Sequence, residues 1–257
     1  MARQAAAAEI VIGDMTAPST SFPFARAAAA LGAYERNARE AARWAHPSWF
    51  EAALDLPAGA SGASLDRLRG ALATAHGACV AACSRALLRA TNVSAPGFDT
   101  LRAPNPAVLD ALPVEVGVRV LRMRALLLRR ADVRKLIDKR SRQRLAQWVG
   151  VPLERLTASG AAGPANAPDV ARLVSRGQLP ALEEVDADTL AYEGYALLAR
   201  DTPAAARPCP LLRLALPHAL PDAAWLRASG RELDAAGTAQ LVARLPELLP
   251  EWAWLFG

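Results

Sequence analysis

The stretch from Leu112 to Val149 limits what this chain can fold into more than any other. Between Arg119 and Arg144 it carries eleven basic residues (Arg119, Arg122, Arg124, Arg129, Arg130, Arg134, Lys135, Lys139, Arg140, Arg142 and Arg144) against Asp132 and Asp138 alone, a local net charge of +9 in a chain whose total is +5. The rest of the sequence therefore carries −4, and a basic element on a mildly acidic body calls for an acidic partner surface, a nucleic acid, or pairing within the molecule. The same stretch is apolar. Val116, Val120, Met123 and Leu127 recur at helical spacing on one face, and Val118, Leu121, Ala125 and Leu128 form a second stripe roughly 140–180° away. A helix apolar on two sides is buried on more than one. The arginines between its stripes must then reach water along their stems or meet carboxylates, because an unpaired buried guanidinium costs several kcal/mol. The expectation is a core helix with a charged rim. A second helix should follow, capped by Asp138 or Ser141 and showing Leu145, Trp148 and Val149 on one side. It should stop at Val149, since Gly150 can take the left-handed position and Pro152 cannot continue the ladder.

Hydrophobic residues make up 53 % of the 257 positions, much of it alanine, while aromatics are only 5 %. That balance favours closely packed helices over a sheet core, so the fold class expected is mainly α, one compact multi-helix domain with at most a short strand or extended edge at 211–216. A chain of this size buries roughly 70–75 % of its unfolded surface and needs neither disulfides nor metal to fold. Residues 1–24 read as a loosely held arm and 25–257 as the domain, with helices over Ala25–Ala45, from Ser48, over Leu65–Arg89, Asp169–Ser175 and Asp188–Ala199. One helical turn is expected at Ala107–Leu112, a linker at 56–64 and an exposed loop at 156–168. Gly194 inside a helix costs about 1 kcal/mol relative to alanine, so a closely packed neighbour is the expected compensation. The C-terminal Leu241, Leu245, Leu248, Trp252 and Leu255 keep a helical face past Pro246 and Pro250, and a tail ending Trp252, Trp254, Leu255, Phe256 is too apolar to lie free, so it is expected to dock on the body or, as the alternative, to be a binding segment.

The longest chargeless run, Gly70–Ser84, has 15 residues and falls short of the roughly 20 needed to span a bilayer. The N-terminus lacks the pattern of a secretory signal, and Cys79, Cys83 and Cys209 are an odd, irregularly spaced set, so a reducing cytoplasmic location is expected. His76, Cys79 and Cys83 share a helix face, but the outer two are separated by about 10 Å of helical rise, too far for one ion; they read as packing residues. No phosphate-cradling loop, dinucleotide fingerprint or nucleophile setting accompanies His46, His76 and His218, so no catalytic residue, metal, cofactor or small-molecule substrate is expected. Glu183, Glu184, Asp186 and Asp188 read as favourable charge before a helix or as partners for the basic helices. The rival reading is a DNA-binding regulator of helix-turn-helix type using the basic region 119–158. Its recognition helix would begin after Val151 and carries little that reads bases.

The block VRVLRMRALLLRRADVRKLIDKRSRQRLAQWVG (118–150), with ARWAHPSWF (42–50), LLRLALP (211–217) and TAQLVARLPELLPEWAWLFG (238–257), resembles the SctK family of bacterial type III secretion proteins, its Hrp-type members above all. The N-terminal arm and the loop 156–168 stand outside that pattern. The resemblance implies a non-enzymatic adaptor of the cytoplasmic sorting platform, joining an SctD-type inner-membrane ring protein to an SctQ-type pod protein and meeting the membrane only through its partners. The residues expected at protein interfaces are Arg129, Arg130, Arg134, Lys135 and Arg140 of the basic ridge and Trp252, Trp254 and Phe256 of the tail.

Overall fold

The computed structural model describes residues 23–56, 62–102, 105–158, 170–203, 207–229 and 232–256, and every regular element among them is helical. In chain order these are α1 (Pro23–Trp44), α2 (Ser48–Ala53), α3 (Gly62–Thr74), α4 (Gly77–Ala90), α5 (Val114–Leu128), α6 (Arg130–Lys135), α7 (Lys139–Val149), α8 (Leu153–Thr157), α9 (Ala171–Ser175), α10 (Ala187–Asp201), α11 (Ala224–Ser229), α12 (Gly237–Leu248) and α13 (Ala253–Phe256). Short 3-10 turns lie at Phe98–Arg102, Pro106–Ala111, Leu182–Glu184, Leu212–Ala215 and Pro250–Trp252.

Both apolar stripes of α5 are buried from Val120 onward, with Val116 and Val118 partly covered, which places this helix at the centre. Val120, Leu121, Met123 and Leu126 share one cluster with Leu190 and Leu198 of α10, Leu241 and Leu245 of α12, Leu145 and Val149 of α7, and Leu153 and Leu156 of α8. Each such side chain contributes roughly 1.5–3 kcal/mol by leaving water. α10 crosses α5 at Gly194, where a methyl group would stand 1.8 Å from the Leu121 carbonyl oxygen, so this helical glycine is the condition for backbone-to-backbone contact. A second cluster joins Tyr34 and Ala41 of α1 to Phe50, Leu65, Leu72, Val80 and Leu87 of α2, α3 and α4, and a third joins Leu128, Leu173, Leu197 and Trp225.

Three local expectations are corrected. The helix expected over Leu65–Arg89 is two, α3 and α4, because His76 leaves helical geometry (ψ 142°) and its Nδ1 accepts the Ala78 amide at 3.3 Å as the N-cap of α4. The extended edge expected at 211–216 is a 3-10 turn. Its alternation LLRLAL arises because the leucines serve two interiors, Leu212 and Leu216 in the central cluster and Leu211 and Leu214 in the second. The buried Asp110 carboxylate fixes that turn, accepting the amides of Leu212 at 2.7 Å and Leu211 at 3.2 Å. Finally, Leu156 and Thr157, assigned to an exposed loop, are buried at the end of α8. The rest of that loop from 159, most of the N-terminal arm, and 57–61 of the linker lie outside the described residues.

The caps of the basic region follow the sequence. Asp138 accepts the amides of Ser141 at 2.7 Å and Arg140 at 3.3 Å to start α7, and Gly150 ends it at φ 75°. The tail docks as expected, with Leu255 and Phe256 buried in the central cluster and Trp252 partly buried against it.

Candidate protein-interaction surface

The positive charge of the central stretch divides into an inner and an outer set. Inside, Arg124 of α5 is fully buried. It donates from Nε to Thr238 Oγ1 at 2.9 Å, from Nη1 to Asp234 Oδ2 at 2.7 Å, and from Nη2 to Asp201 Oδ2 at 3.1 Å and the Asp234 carbonyl at 3.2 Å. Arg130 joins it on Asp234 Oδ1 at 3.2 Å, and Arg200 lies 2.6 Å from Asp201. Gly237, at the start of α12, makes room for this network, since a methyl group there would meet Asp234 Oδ2 at 2.2 Å and Arg124 Nη2 at 2.6 Å. Arg129 is also fully buried and makes a two-pronged pair with Glu193 of α10, 3.0 Å from Nε to Oε2 and 2.6 Å from Nη2 to Oε1, with Nη1 donating to the Pro180 carbonyl at 2.7 Å. Burial pushes the Glu193 carboxyl above its ordinary range, with the two bonds from Arg129 pulling against it.

Two residues expected on an exposed ridge are thereby corrected: Arg129 is interior, and Arg130 is largely covered and paired. The physical reason is that carboxylates far away in sequence, on α10 and just before α12, reach α5 and satisfy guanidiniums that would otherwise require water. Arg134, Lys135 and Arg140 are exposed, as expected, together with Lys139 and Arg144. Arg134 also donates to the Thr157 carbonyl. Arg144 lies 5.3 Å from the centre of the Trp148 ring.

The segment read as a possible helix-turn-helix does form a helical corner, α7 and α8 joined through Gly150 and Pro152, yet α8 shows only Glu154 and Arg155 to solvent. It has 5 residues, of which Leu153, Leu156 and Thr157 are buried. Glu154 pairs with Arg142, and Arg155 donates to the Glu247 carbonyl. The carbonyls at its C-terminus are taken by arginines, Leu156 by Arg244 at 2.8 Å, Arg155 by Arg244 at 2.5 Å and Thr157 by Arg134. A helix held this way cannot enter a groove without unfolding its own corner.

α7 is different. Its Leu145 and Val149 are buried, and the opposite face shows Arg140, Gln143, Arg144 and Gln147 to solvent. Ahead of it stands Ile137, 95 % exposed. Ile137, Gln143 and Gln147 carry no charge, so charge alone does not mark this face; the signal in the sequence is the helical spacing of 140, 143, 144 and 147 opposite 145 and 149.

In the tail, Phe256 is buried and Trp252 half-buried, leaving Trp254, 40 % exposed, as the tail aromatic that a partner can reach. The segment ARWAHPSWF meets LLRLALP: the His46 amide donates to the Leu214 carbonyl at 2.7 Å, Trp49 Nε1 to the Leu216 carbonyl at 2.8 Å, and the Arg213 guanidinium lies 5.0 Å from the Trp49 ring centre. His46 thus holds a corner of the fold together through its amide, and its Nδ1 lies 2.8 Å from Ser48 Oγ. Asp186 caps α10 through the Thr189 amide at 2.7 Å, and Asp188 lies 3.7 Å from Arg122, so the two aspartates of that acidic cluster take the two roles expected for it, while Glu183 and Glu184 are exposed. Cys79 and Cys83, read as buried packing residues, are exposed, because α4 turns that face outward; Cys209 is the buried cysteine. A cleft of about 640 Å³ between Thr100, the turn at Asn105 to Ala107, the end of α10 and α12 is mainly apolar, and its Asp201 and Thr238 are already engaged by Arg124. No helix among the described residues is long and apolar enough to cross a membrane, and no group of three or more His, Cys, Asp or Glu able to hold a metal is found among them.

A family model described as bacterial type III secretion protein (HrpB4) matches residues 22–251. No curated protein and no solved structure matches the chain.

Proposed function

Because this chain belongs to the HrpB4 family of bacterial type III secretion proteins, we propose that it is a non-enzymatic adaptor of the cytoplasmic sorting platform. In this reading it links the SctD-type inner-membrane ring protein to the SctQ-type pod protein and reaches the membrane only through those partners. The observation that carries the reading is the division of charge. Arg124, Arg129 and Arg130 lock α5 to α10 and to the start of α12, while Lys135, Lys139, Arg140 and Arg144 are left facing outward on a rigid helical body. Outward charge on a preorganised surface orients a partner and raises its rate of encounter, which is what a bridging component requires. The exposed Trp254 supplies an aromatic of the kind that anchors interfaces, away from the basic residues in sequence.

The test is affinity purification of the tagged chain from cells that express the secretion system, scored for the ring and pod proteins. Recovery of both supports the adaptor. Recovery of neither, with salt-sensitive retention of DNA instead, would overturn it in favour of a nucleic-acid role.

A further inference from the structure

Within the central basic stretch, most of the charge left over after the interior pairs are satisfied lies on α7 and just before it. Among the described residues no carboxylate pairs with Lys135, Lys139, Arg140 or Arg144, whereas the neighbouring Arg142 is taken by Glu154. Arg140, Gln143, Arg144 and Gln147 line a shallow depression of about 370 Å³ along the outward face of α7. Arg140 to Gln147 spans about 10 Å of helix at 1.5 Å per residue. The tips of these side chains carry N–H donors, and only the two glutamines also offer acceptors, so the face is matched to a row of acceptor groups bearing negative charge.

Ile137 stands at the N-terminal end of this face. Its neighbours are both anchored, Leu136 against the central cluster and Asp138 as the cap of α7, so the isoleucine is held out from the body at little remaining conformational cost. Beyond it the sign of the charge reverses: a mainly apolar cleft of about 600 Å³, which Ile137 itself borders, carries Asp132, Asp138 and Glu183, with Lys135 the cation in its wall. An anionic membrane laid over Ile137 would face those three carboxylates as well as the lysines. A phosphate backbone would gain nothing from an isoleucine. A protein segment can place carboxylates over α7 alone and an apolar pocket over Ile137.

We propose that Ile137 and the outward face of α7, through Lys139, Arg140, Gln143, Arg144 and Gln147, form a docking surface for an acidic protein segment whose carboxylates flank an apolar pocket. The surface rests on the adaptor reading and gives it a location. It is tested with the purified full chain against the purified cytoplasmic domain of the ring protein and the purified pod protein, each by calorimetry or interferometry, with a 20-base-pair DNA duplex and vesicles containing phosphatidylglycerol as further probes. Ile137→Asp and the double variant Arg140→Glu/Arg144→Glu alter exposed side chains, and their circular dichroism spectra should match the wild type. Each is expected to weaken one of the two protein partners at least tenfold and to leave the other within twofold, while Arg85→Glu/Arg89→Glu on the exposed side of α4 changes neither. If the wild type binds its partners and both variants bind equally well, the docking surface is refuted and the adaptor stands. If the wild type binds neither protein, the adaptor falls and the surface with it. Loss of DNA or vesicle binding in the variants, with protein binding intact, would also refute it by assigning the face to another class of partner.

Discussion

Replacing Arg129 with methionine separates a structural arginine from an interface arginine. In the wild type both Glu193 oxygens receive bonds from Arg129, at 3.0 and 2.6 Å, and the Glu193 side chain is only 6 % exposed. Methionine fills much of the same volume but leaves that carboxylate and the Pro180 carbonyl without their donors. Removing one member of a buried pair costs about 3–5 kcal/mol. For a chain of this size each kcal/mol moves the melting temperature by roughly 2–4 °C, so a fall of about 6–20 °C is expected. The double variant Arg129→Met/Glu193→Leu removes both charges and leaves chiefly the Pro180 carbonyl unsatisfied, a residual cost of about 1–3 kcal/mol. It should melt between the single variant and the wild type, and the two substitutions should be strongly non-additive. Thermal denaturation followed by circular dichroism at pH 7.5 gives the three values; partner binding at 15 °C, where the single variant is still folded, gives the functional comparison. An Arg129→Met protein that melts within about 2 °C of the wild type but loses a partner would place this guanidinium at the surface and overturn the division of charge on which the adaptor reading relies.

Three further perturbations have contrasting controls. Gly194→Ala should destabilise by at least about 2 kcal/mol, since the methyl would stand 1.8 Å from the Leu121 carbonyl oxygen and α10 must shift away from α5. Gly70→Ala, in α3 with nothing within 4 Å, should stabilise by about 0.5–1 kcal/mol, and equal signs in denaturant titrations would contradict this packing. Asp110 has its carboxyl pushed up to about 7, first by burial, with the Leu212 and Leu211 amides pulling the other way. The folded state therefore keeps a proton that the unfolded chain releases near pH 4, and this group's contribution to stability is full below about pH 4 and lost as pH rises through about 7, a change of at most the order of 4 kcal/mol. Wild type should accordingly lose stability from pH 5 to pH 8 more steeply than Asp110→Asn, and parallel profiles would refute the assignment. Truncation of residues 253–257 removes the buried Leu255 and Phe256 and should cost about 3–6 kcal/mol, whereas Trp254→Ala, at a ring already 40 % exposed, should cost about 1–2 kcal/mol. Similar melting of both proteins would mean that the tail is not docked.

Local signals in the sequence carried most of the helical scaffold. The paired stripes of α5, the Asp138 cap, the Gly150 stop and the close approach at Gly194 are each set by residues within one or two turns, or by a cost that only a neighbour can offset. What was not legible depended on distant residues. Leu211–Leu216 alternates because two apolar interiors meet there, and a period of two read in isolation is the signature of a strand. His76 interrupts what looked like one helix because its side chain competes for the amide of Ala78. Arg129 and Arg140 are the same residue type on one basic run. Only the arrival of Glu193, 64 positions away, sends one inside.

The interior arginines also bear on how the outward ones work. Replacing buried ion pairs with apolar residues is often neutral or favourable, so the Arg124, Arg129 and Arg130 pairs are poorly explained as sources of stability alone. Their geometry specifies register: Arg124 ties α5 to Asp201 at the end of α10, to Asp234, and to Thr238 at the start of α12, and a slip of any of these helices by one turn would strand a charge. α7 is seated on the same body by Leu145 and Val149 in the central cluster, and by Arg122, which donates to the Trp148 carbonyl at 3.3 Å and to the Ala187 carbonyl at the start of α10 at 2.9 Å. The direction in which Arg140 and Arg144 point is therefore inherited from the register that the buried pairs impose. A body assembled this way would meet a partner with the outward charges already placed, and ordering them at the moment of binding would cost less.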